Sequence, residues 1–211
     1  MGINKNKHKE AMVKLLKEIY FDTELSTLLG FKGGSAAMFF YDLPRFSVDL
    51  DFDLLDETKK DFVLKKIKII NSKFSSIKIN ILEPSVKNNY VILNYLGISM
   101  LVEAKKDMMA GKLSALLTRK KFASRDLFDM WFFMENGWGI NKESVKIQTG
   151  LDYKEALKRA LKMVSKLKSD QLLSGLGELV DEKQKNWVKD KLLKEANFLF
   201  KLYLEKETKW V

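Results

Sequence analysis

Between Ser47 and Leu54 apolar and acidic residues alternate without a break, Val48, Leu50 and Phe52 on one side and Asp49, Asp51 and Asp53 on the other. Successive side chains of a strand point to opposite faces, so this stretch reads as a strand with one apolar face and one acidic face. Upstream, residues 10–22 repeat apolar pairs at helical spacing, Ala11-Met12, Leu15-Leu16 and Ile19-Tyr20, which predicts an amphipathic helix. Between the two, Leu28-Leu29-Gly30 runs into Phe31-Lys32-Gly33-Gly34-Ser35 and then an apolar stretch from Ala36 to Tyr41. That order predicts a strand end, a glycine turn and a short helix with Ser35 as its N-cap. Residues 56–72 return to helical spacing, and three short runs follow at 77–82, 90–95 and 98–103, the last two joined through Leu96-Gly97 as a hairpin.

From Lys105 onward the pattern is helical, with segments at 108–117, 126–134, 153–167 and 189–204. The fold class expected is therefore α+β, a catalytic-type sheet domain over 1–104 followed by a helical domain over 105–211. Because no proline follows Pro84 and no Gly/Ser-rich linker separates the halves, the two are expected to pack together. The aromatic run Trp131-Phe132-Phe133 reads as core rather than a base-stacking platform. Lysines interleave with Leu157, Leu161, Val164 and Leu167 over 154–168, which reads first as a packing helix and second as an RNA-facing one.

Composition narrows the chemistry. The chain has 211 residues, enough for one large or two small domains, and 46% hydrophobic with 31% charged residues is a globular profile. Without cysteine there is no disulfide, thiolate metal site or cysteine nucleophile. The one histidine, His8, stands in a polar opening and is expected to be solvated. A bound metal would then be held by carboxylates, which suits magnesium or manganese. The N-terminus lacks a signal-peptide pattern, and no stretch reaches the roughly 18 apolar residues of a membrane span, so a cytoplasmic protein is expected. A net charge of +10 favours a polyanionic partner.

Asp49 and Asp51 are two positions apart on one strand, which puts their Cα atoms roughly 6.5–7 Å apart with side chains pointing the same way. Two such carboxylates can reach one cation. A solvated acidic strand is the alternative for an isolated Asp-x-Asp, but here a Gly-Gly-Ser turn stands one short helix upstream. Backbone amides at a helix N-terminus are free donors for phosphate. Metal-binding carboxylates beside a phosphate-binding turn are the parts nucleotidyl transfer requires, since charge builds on the phosphate oxygens as pyrophosphate leaves.

Taken together, Lys32-Gly33-Gly34-Ser35-Ala36-Ala37 and the segment from Tyr41 through Arg45-Phe46-Ser47-Val48 to Asp49-Leu50-Asp51 resemble the first motif of the AbiEii/AbiGii-type nucleotidyltransferase toxins. A second block resembles the same family: Asp107, Lys112 to Leu116, Arg119, and Arg125 to Asp129. The two anchor roughly residues 10–135. The resemblance implies a polymerase-beta-like fold, a nucleoside triphosphate donor, a magnesium or manganese cofactor with a two-metal mechanism, and the toxin role in a type IV-like toxin–antitoxin or abortive-infection system. It also implies a transfer RNA 3′ end as acceptor and a cognate antitoxin as partner. By the same resemblance, Asp49 and Asp51 are the expected metal ligands and Gly33, Gly34, Ser35 and Arg45 the nucleotide-binding positions. Lys112 would carry charge to the triphosphate, and Asp126 would act as a base or orienting group. Glu103 is a candidate third metal ligand or simply the end of its strand, and Asp129 is a candidate ion-pair partner of Arg125. A drug-type transferase acting on a small molecule, and a silent binding protein with the same fold, stay open as alternatives.

Overall fold

The computed structural model describes residues 4–74 and 77–209 and contains two compact units, Met1–Ala104 and Lys105–Val211. In the first, five strands form one mixed sheet in the order β3-β2-β1-β5-β4. They are β1 (Leu29–Lys32), β2 (Asp49–Leu54), β3 (Lys78–Leu82), β4 (Tyr90–Tyr95) and β5 (Ile98–Glu103). The pairs β1–β2 and β4–β5 are antiparallel, and β1–β5 and β2–β3 are parallel. Leu96 and Gly97 both take positive φ, which makes the two-residue hairpin turn between β4 and β5.

The alternation along β2 divides the sheet. Leu50 and Phe52 are buried, and Phe31 of β1 lies opposite Phe52 with Val102 of β5 beside it. Against this apolar face packs α1 (Lys5–Phe21), which buries Met12, Leu15, Leu16, Ile19 and Tyr20. The Tyr20 hydroxyl donates to the carbonyl of Leu29 at 3.0 Å, pinning the helix to the start of β1. The short α2 (Leu25–Leu28) leads into β1, and α4 (Lys60–Ser72) packs beside α1 through Val63, Ile67 and Ile70.

Helix α1 begins at Lys5, well before the apolar repeat, because the Asn4 side chain caps it by accepting from the Lys7 amide. This corrects the expectation for His8. Carried on the first turns of the helix, His8 is half-buried, its Nε2 2.9 Å from the Val48 carbonyl and its ring edge-on to Phe46.

The second unit is helical throughout. It comprises α5 (Lys105–Thr118), α6 (Ser124–Glu135), α7 (Lys142–Thr149), α8 (Tyr153–Val164), α9 (Glu182–Trp187) and α10 (Leu193–Lys209), with a π-helical turn over Val188–Leu192 joining the last two. Helix α7 falls in a stretch whose apolar positions are too sparse to predict it; Asn141 caps its start and Gly150, at φ +72°, ends it. Helix α8 stops at Val164, short of the expected Leu167. In the aromatic run of α6, Phe133 stacks on Trp138 with ring centroids 4.0 Å apart, and Trp131 lies 4.2 Å from Trp187. No helix among the described residues is long and apolar enough to cross a membrane.

Candidate active site

The acidic side of β2 faces away from α1, and cross-strand register decides what meets it. Lys32 of β1 lies opposite Asp51, Gly30 lies opposite Asp53, and Asn80 of β3 lies beside Asp51. On the far side of β1, Glu103 of β5 shares this face, because its neighbour Val102 pairs with Phe31 on the apolar one. Five ionisable groups, Asp49, Asp51, Asp53, Glu103 and Lys32, thus occupy one polar face.

They are not equally committed to the protein. Asp53 is fully buried and accepts from Lys32 Nζ at 2.9 and 3.1 Å, from Asn88 Nδ2 at 2.9 Å and from the Tyr90 hydroxyl at 2.5 Å. A buried carboxylate needs such partners, and this one has its acceptor capacity largely filled. The Tyr90 ring reaches it by crossing β5 and β1, which explains Gly30: a Cβ there would lie 2.1 Å from the ring. Burial and the Asp53 carboxylate together push the Tyr90 phenol well above its ordinary range.

Asp51 is half-buried and receives one hydrogen bond, from Asn80 Nδ2 to Oδ1 at 2.7 Å. Asp49 is also half-buried, and among the described residues its carboxylate has neither hydrogen-bond nor ion-pair partner. Along one strand, then, the acids run from satisfied at Asp53 to unanswered at Asp49. Lys32 tempers this field. Burial alone would lower its pKa, but the charges of Glu103, Asp53 and Asp51 outweigh it and hold the ammonium above its usual range.

The glycine turn closes on the same place. Gly33 has φ +76°, a conformation that favours glycine, and a Cβ there would come 2.7 Å from Asp51 Oδ2. The Asp51 carboxylate is therefore seated directly against the turn. Helix α3 (Gly33–Phe40) starts at the turn with its first backbone amides outside any helical bond. A Cβ at Gly34 would lie 2.6 Å from Arg45 Nη2 and 3.0 Å from Ser47 Oγ, so Arg45 packs beneath the turn. Arg45 is buried and donates from Nη1 to the Phe46 carbonyl at 2.9 Å.

Ser35 differs from expectation. Helix α3 begins three residues earlier than the N-cap reading places it, Lys32 occupies the cap position in extended conformation, and no side chain caps. Ser35 is buried inside the first turn, and its hydroxyl donates to the Asp49 carbonyl. It ties the phosphate-type turn to the strand that carries the acids.

Glu103 is buried, with its charge felt by Lys32, Tyr41 and Tyr90, and the Tyr41 hydroxyl donates to its backbone carbonyl at 3.1 Å. Among the described residues no three His, Cys, Asp or Glu side chains gather to hold a metal ion. Asp49 and Asp51, the least committed of these carboxylates, could offer oxygens to a cation. Two carboxylates suit magnesium, which keeps several waters and completes its shell with substrate phosphates.

Within the helical unit the second motif forms a cluster of its own. Lys112 of α5 lies 2.9 Å from Asp126 Oδ1 and 2.7 Å from Asp129 Oδ2, both on α6 and both buried. Arg119 Nε lies 2.8 Å from the other Asp126 oxygen, close enough for an ion pair though not aligned as a hydrogen bond. Asp129 therefore pairs with Lys112 across two helices rather than with Arg125 on its own. Asp107, also buried, accepts from Asn141 Nδ2 at 2.6 Å.

Lys32, Asn80, Asn88 and Tyr90 escaped sequence reasoning. Lys32, Asn80 and Tyr90 are placed by strand register and Asn88 by the segment leading into β4, and the available signal was faint: a lysine ending a strand directly before a double glycine.

Comparison with known proteins finds likeness in sequence and in fold. Residues 14–87 match the family described as Nucleotidyl transferase AbiEii toxin, Type IV TA system. Among solved structures, a candidate nucleotidyltransferase from H. pylori superposes with a TM-score of 0.62 at 17% identity, covering 100% of this chain and 99% of that one. JHP933 from Helicobacter pylori gives 0.61 at 18%, covering 99% and 96%. No curated protein matches the sequence. At those identities the structures establish a shared α+β fold. Residues 14–87, which carry the glycine turn and both aspartates, are thus similar to the AbiEii nucleotidyl transferase toxins of type IV toxin–antitoxin systems.

Proposed function

We propose that the polar face of the sheet transfers a nucleotide from a nucleoside triphosphate to an RNA end, with a transfer RNA 3′ end as the acceptor, and that Asp49 and Asp51 hold the divalent cations the reaction uses. The observation that carries this reading is the seating of Asp51 against Gly33 with Asp49 unanswered beside it. It gives anionic oxygens for a metal and free backbone amides for phosphate at one place.

In the reaction an acceptor hydroxyl oxygen bonds to the α-phosphorus as the bond to the β-phosphate bridging oxygen breaks, releasing pyrophosphate, and the hydroxyl proton passes to solvent or a nearby carboxylate. A magnesium or manganese ion bound there would neutralise charge building on the phosphate oxygens. The chain's own groups do the rest. The amides of Gly33, Gly34 and Ser35 receive phosphate oxygens, while Arg45 and the Ser35 hydroxyl fix the turn from beneath. Asp53, held by Lys32, Asn88 and Tyr90, keeps β2 in register so that Asp49 and Asp51 stay parallel. Lys112 and Asp126 keep the roles the resemblance gives them, charge for the triphosphate and an orienting acid. Glu103 contributes field through Lys32, and a place in the metal shell is the stronger form of its role. The cognate antitoxin is the expected protein partner.

An RNA acceptor is supported by where the positive charge lies. Residues 105–211 hold 23 basic and 15 acidic residues, against 15 and 13 in residues 1–104, so +8 of the net +10 belongs to the helical unit. A small-molecule transferase needs no such field.

The test is incubation with α-labelled nucleoside triphosphates, magnesium and total RNA. Label should enter the tRNA fraction, and Asp49→Asn with Asp51→Asn should reduce it about a thousandfold, as expected for losing several kcal/mol of charge stabilisation. Label confined to small molecules would sink the RNA reading, and equal labelling by the variant would sink the site.

A further inference from the structure

Helix α8 is one of the basic stretches of the helical unit, with Lys154, Lys158, Arg159 and Lys162 against one acid, Glu155. Lys158 and Lys162 of α8 and Lys166 in the turn that follows it stand at four-residue spacing, the first two with stems about 6 Å apart along the helix and within about 40° around its axis. All three are exposed. The residues that α8 buries, Tyr153, Ala156, Leu157, Ala160 and Val164, cluster on roughly the opposite side. The lysine row is therefore held outward by the same packing that anchors the helix against α10 and α5.

These cations are also unpaired. Some lysines elsewhere find carboxylates: Lys60 meets Glu83 at 2.6 Å, Lys66 meets Asp22 and Glu24 at 2.7 and 2.6 Å, and Lys73 meets Glu18 at 2.9 Å. Among the described residues Lys158, Lys162 and Lys166 have no ion pair, and the nearby acid, Glu155, is occupied by Arg159 at 3.2 Å. With Glu155, Arg159 and Met163 they line a shallow depression of about 500 Å³. Like charges in a row repel one another and give the isolated helix nothing. A ligand that repeats negative charge along its length would relieve that repulsion and gain by releasing condensed counterions.

We infer that the outer face of α8 with the turn that follows it, centred on Lys158, Lys162 and Lys166, is a docking surface for the phosphate backbone of RNA. It rests on the RNA-acceptor reading above and extends it, since it assigns the surface that grips the acceptor body. Backbone contacts of this kind position a nucleic acid without reading its sequence.

The experiment uses the full-length protein, without nucleotide, and fluorescently labelled unfractionated tRNA, titrated at several salt concentrations. Lys158→Gln with Lys162→Gln and Lys166→Gln is compared with a control of equal charge loss in the first unit, Lys59→Gln with Lys65→Gln and Lys68→Gln, all exposed there. The α8 triple variant should bind at least tenfold more weakly near physiological salt, and its log affinity against log salt slope should be shallower by about 2 to 3, one lost contact for each lysine. The control should stay within about twofold of the unmodified protein. Equal weakening in both variants would mean diffuse net charge and overturn the assignment. Equal binding by both would also overturn it and leave α8 to an acidic protein partner, with the RNA-acceptor reading intact. No binding of tRNA by the unmodified protein would remove both readings.

Discussion

On the polar face of the sheet, four carboxylates share one nearby lysine. Lys32 is paired with Asp53 and feels Glu103 and Asp51, while among the described residues the Asp49 carboxylate has no hydrogen-bond or ion-pair partner. In the helical unit the balance is reversed: Lys112 lies against both Asp126 and Asp129, and Arg119 adds a second cation at Asp126. The helical cluster is close to neutral within itself. The sheet cluster carries an unanswered negative charge on two half-exposed aspartates seated at a glycine turn. Burying a charged pair is tolerated when each charge has a partner, so the helical cluster can be explained by folding. The sheet's surplus has no such internal balance, and the proposed cation site rests on that difference.

Substitutions can break or sharpen that contrast. The largest expected effect on stability is Lys112→Met, which leaves two buried carboxylates beside each other with Arg119 as the nearest cation. It should cost about 3–5 kcal/mol in urea unfolding, the loss typical of orphaning a buried charge. A cost below about 1 kcal/mol would show that the helical cluster is solvated and that the two regions do not differ as described.

Gly33→Ala acts on the other side of the comparison. The left-handed backbone should cost about 1–2 kcal/mol, while the added Cβ would displace Asp51 Oδ2, which lies 2.7 Å from its position. Transfer activity should therefore fall well beyond what the modest destabilisation explains, measured as kcat/KM at a temperature where the variant is fully folded. Activity that merely tracked stability would detach the turn from the aspartates.

The smallest effect concerns alkaline pH. Tyr90 and Lys32 both have folded pKa values above their unfolded ones of 10.0 and 10.5. Each therefore contributes stability that is complete below its unfolded pKa and is lost as pH rises from there toward the folded value. The unfolding midpoint should fall above about pH 10, and Tyr90→Phe should flatten part of that fall while costing about 1–3 kcal/mol at neutral pH, since its hydroxyl is a donor to buried Asp53. An unchanged alkaline limb would mean that the phenol does not support Asp53.

Much of this was legible in the sequence because it is local. Strict alternation from Val48 to Asp53 gave both faces of β2, the glycine pair gave the turn, and the change of period at Lys105 marked the helical half. What escaped depends on register or on distant packing. Nothing local says that Lys32 falls opposite Asp51, that the Tyr90 ring crosses two strands to reach Asp53, or that Asp129 prefers Lys112 to its own-helix neighbour Arg125. Ser35 and His8 were misjudged for a related reason. Each helix starts earlier than its apolar repeat, and the extra turn carries the polar side chain to a backbone carbonyl of the strand region, Asp49 for one and Val48 for the other.

The central claim, that Asp49 and Asp51 form a cation site, is tested most directly by titrating manganese into the protein and following free ion by its paramagnetic resonance. The unmodified protein should bind manganese with magnesium competing, and Asp49→Asn with Asp51→Asn should abolish binding while leaving the melting temperature without metal unchanged or raised. Equal manganese binding by the two proteins would contradict the account.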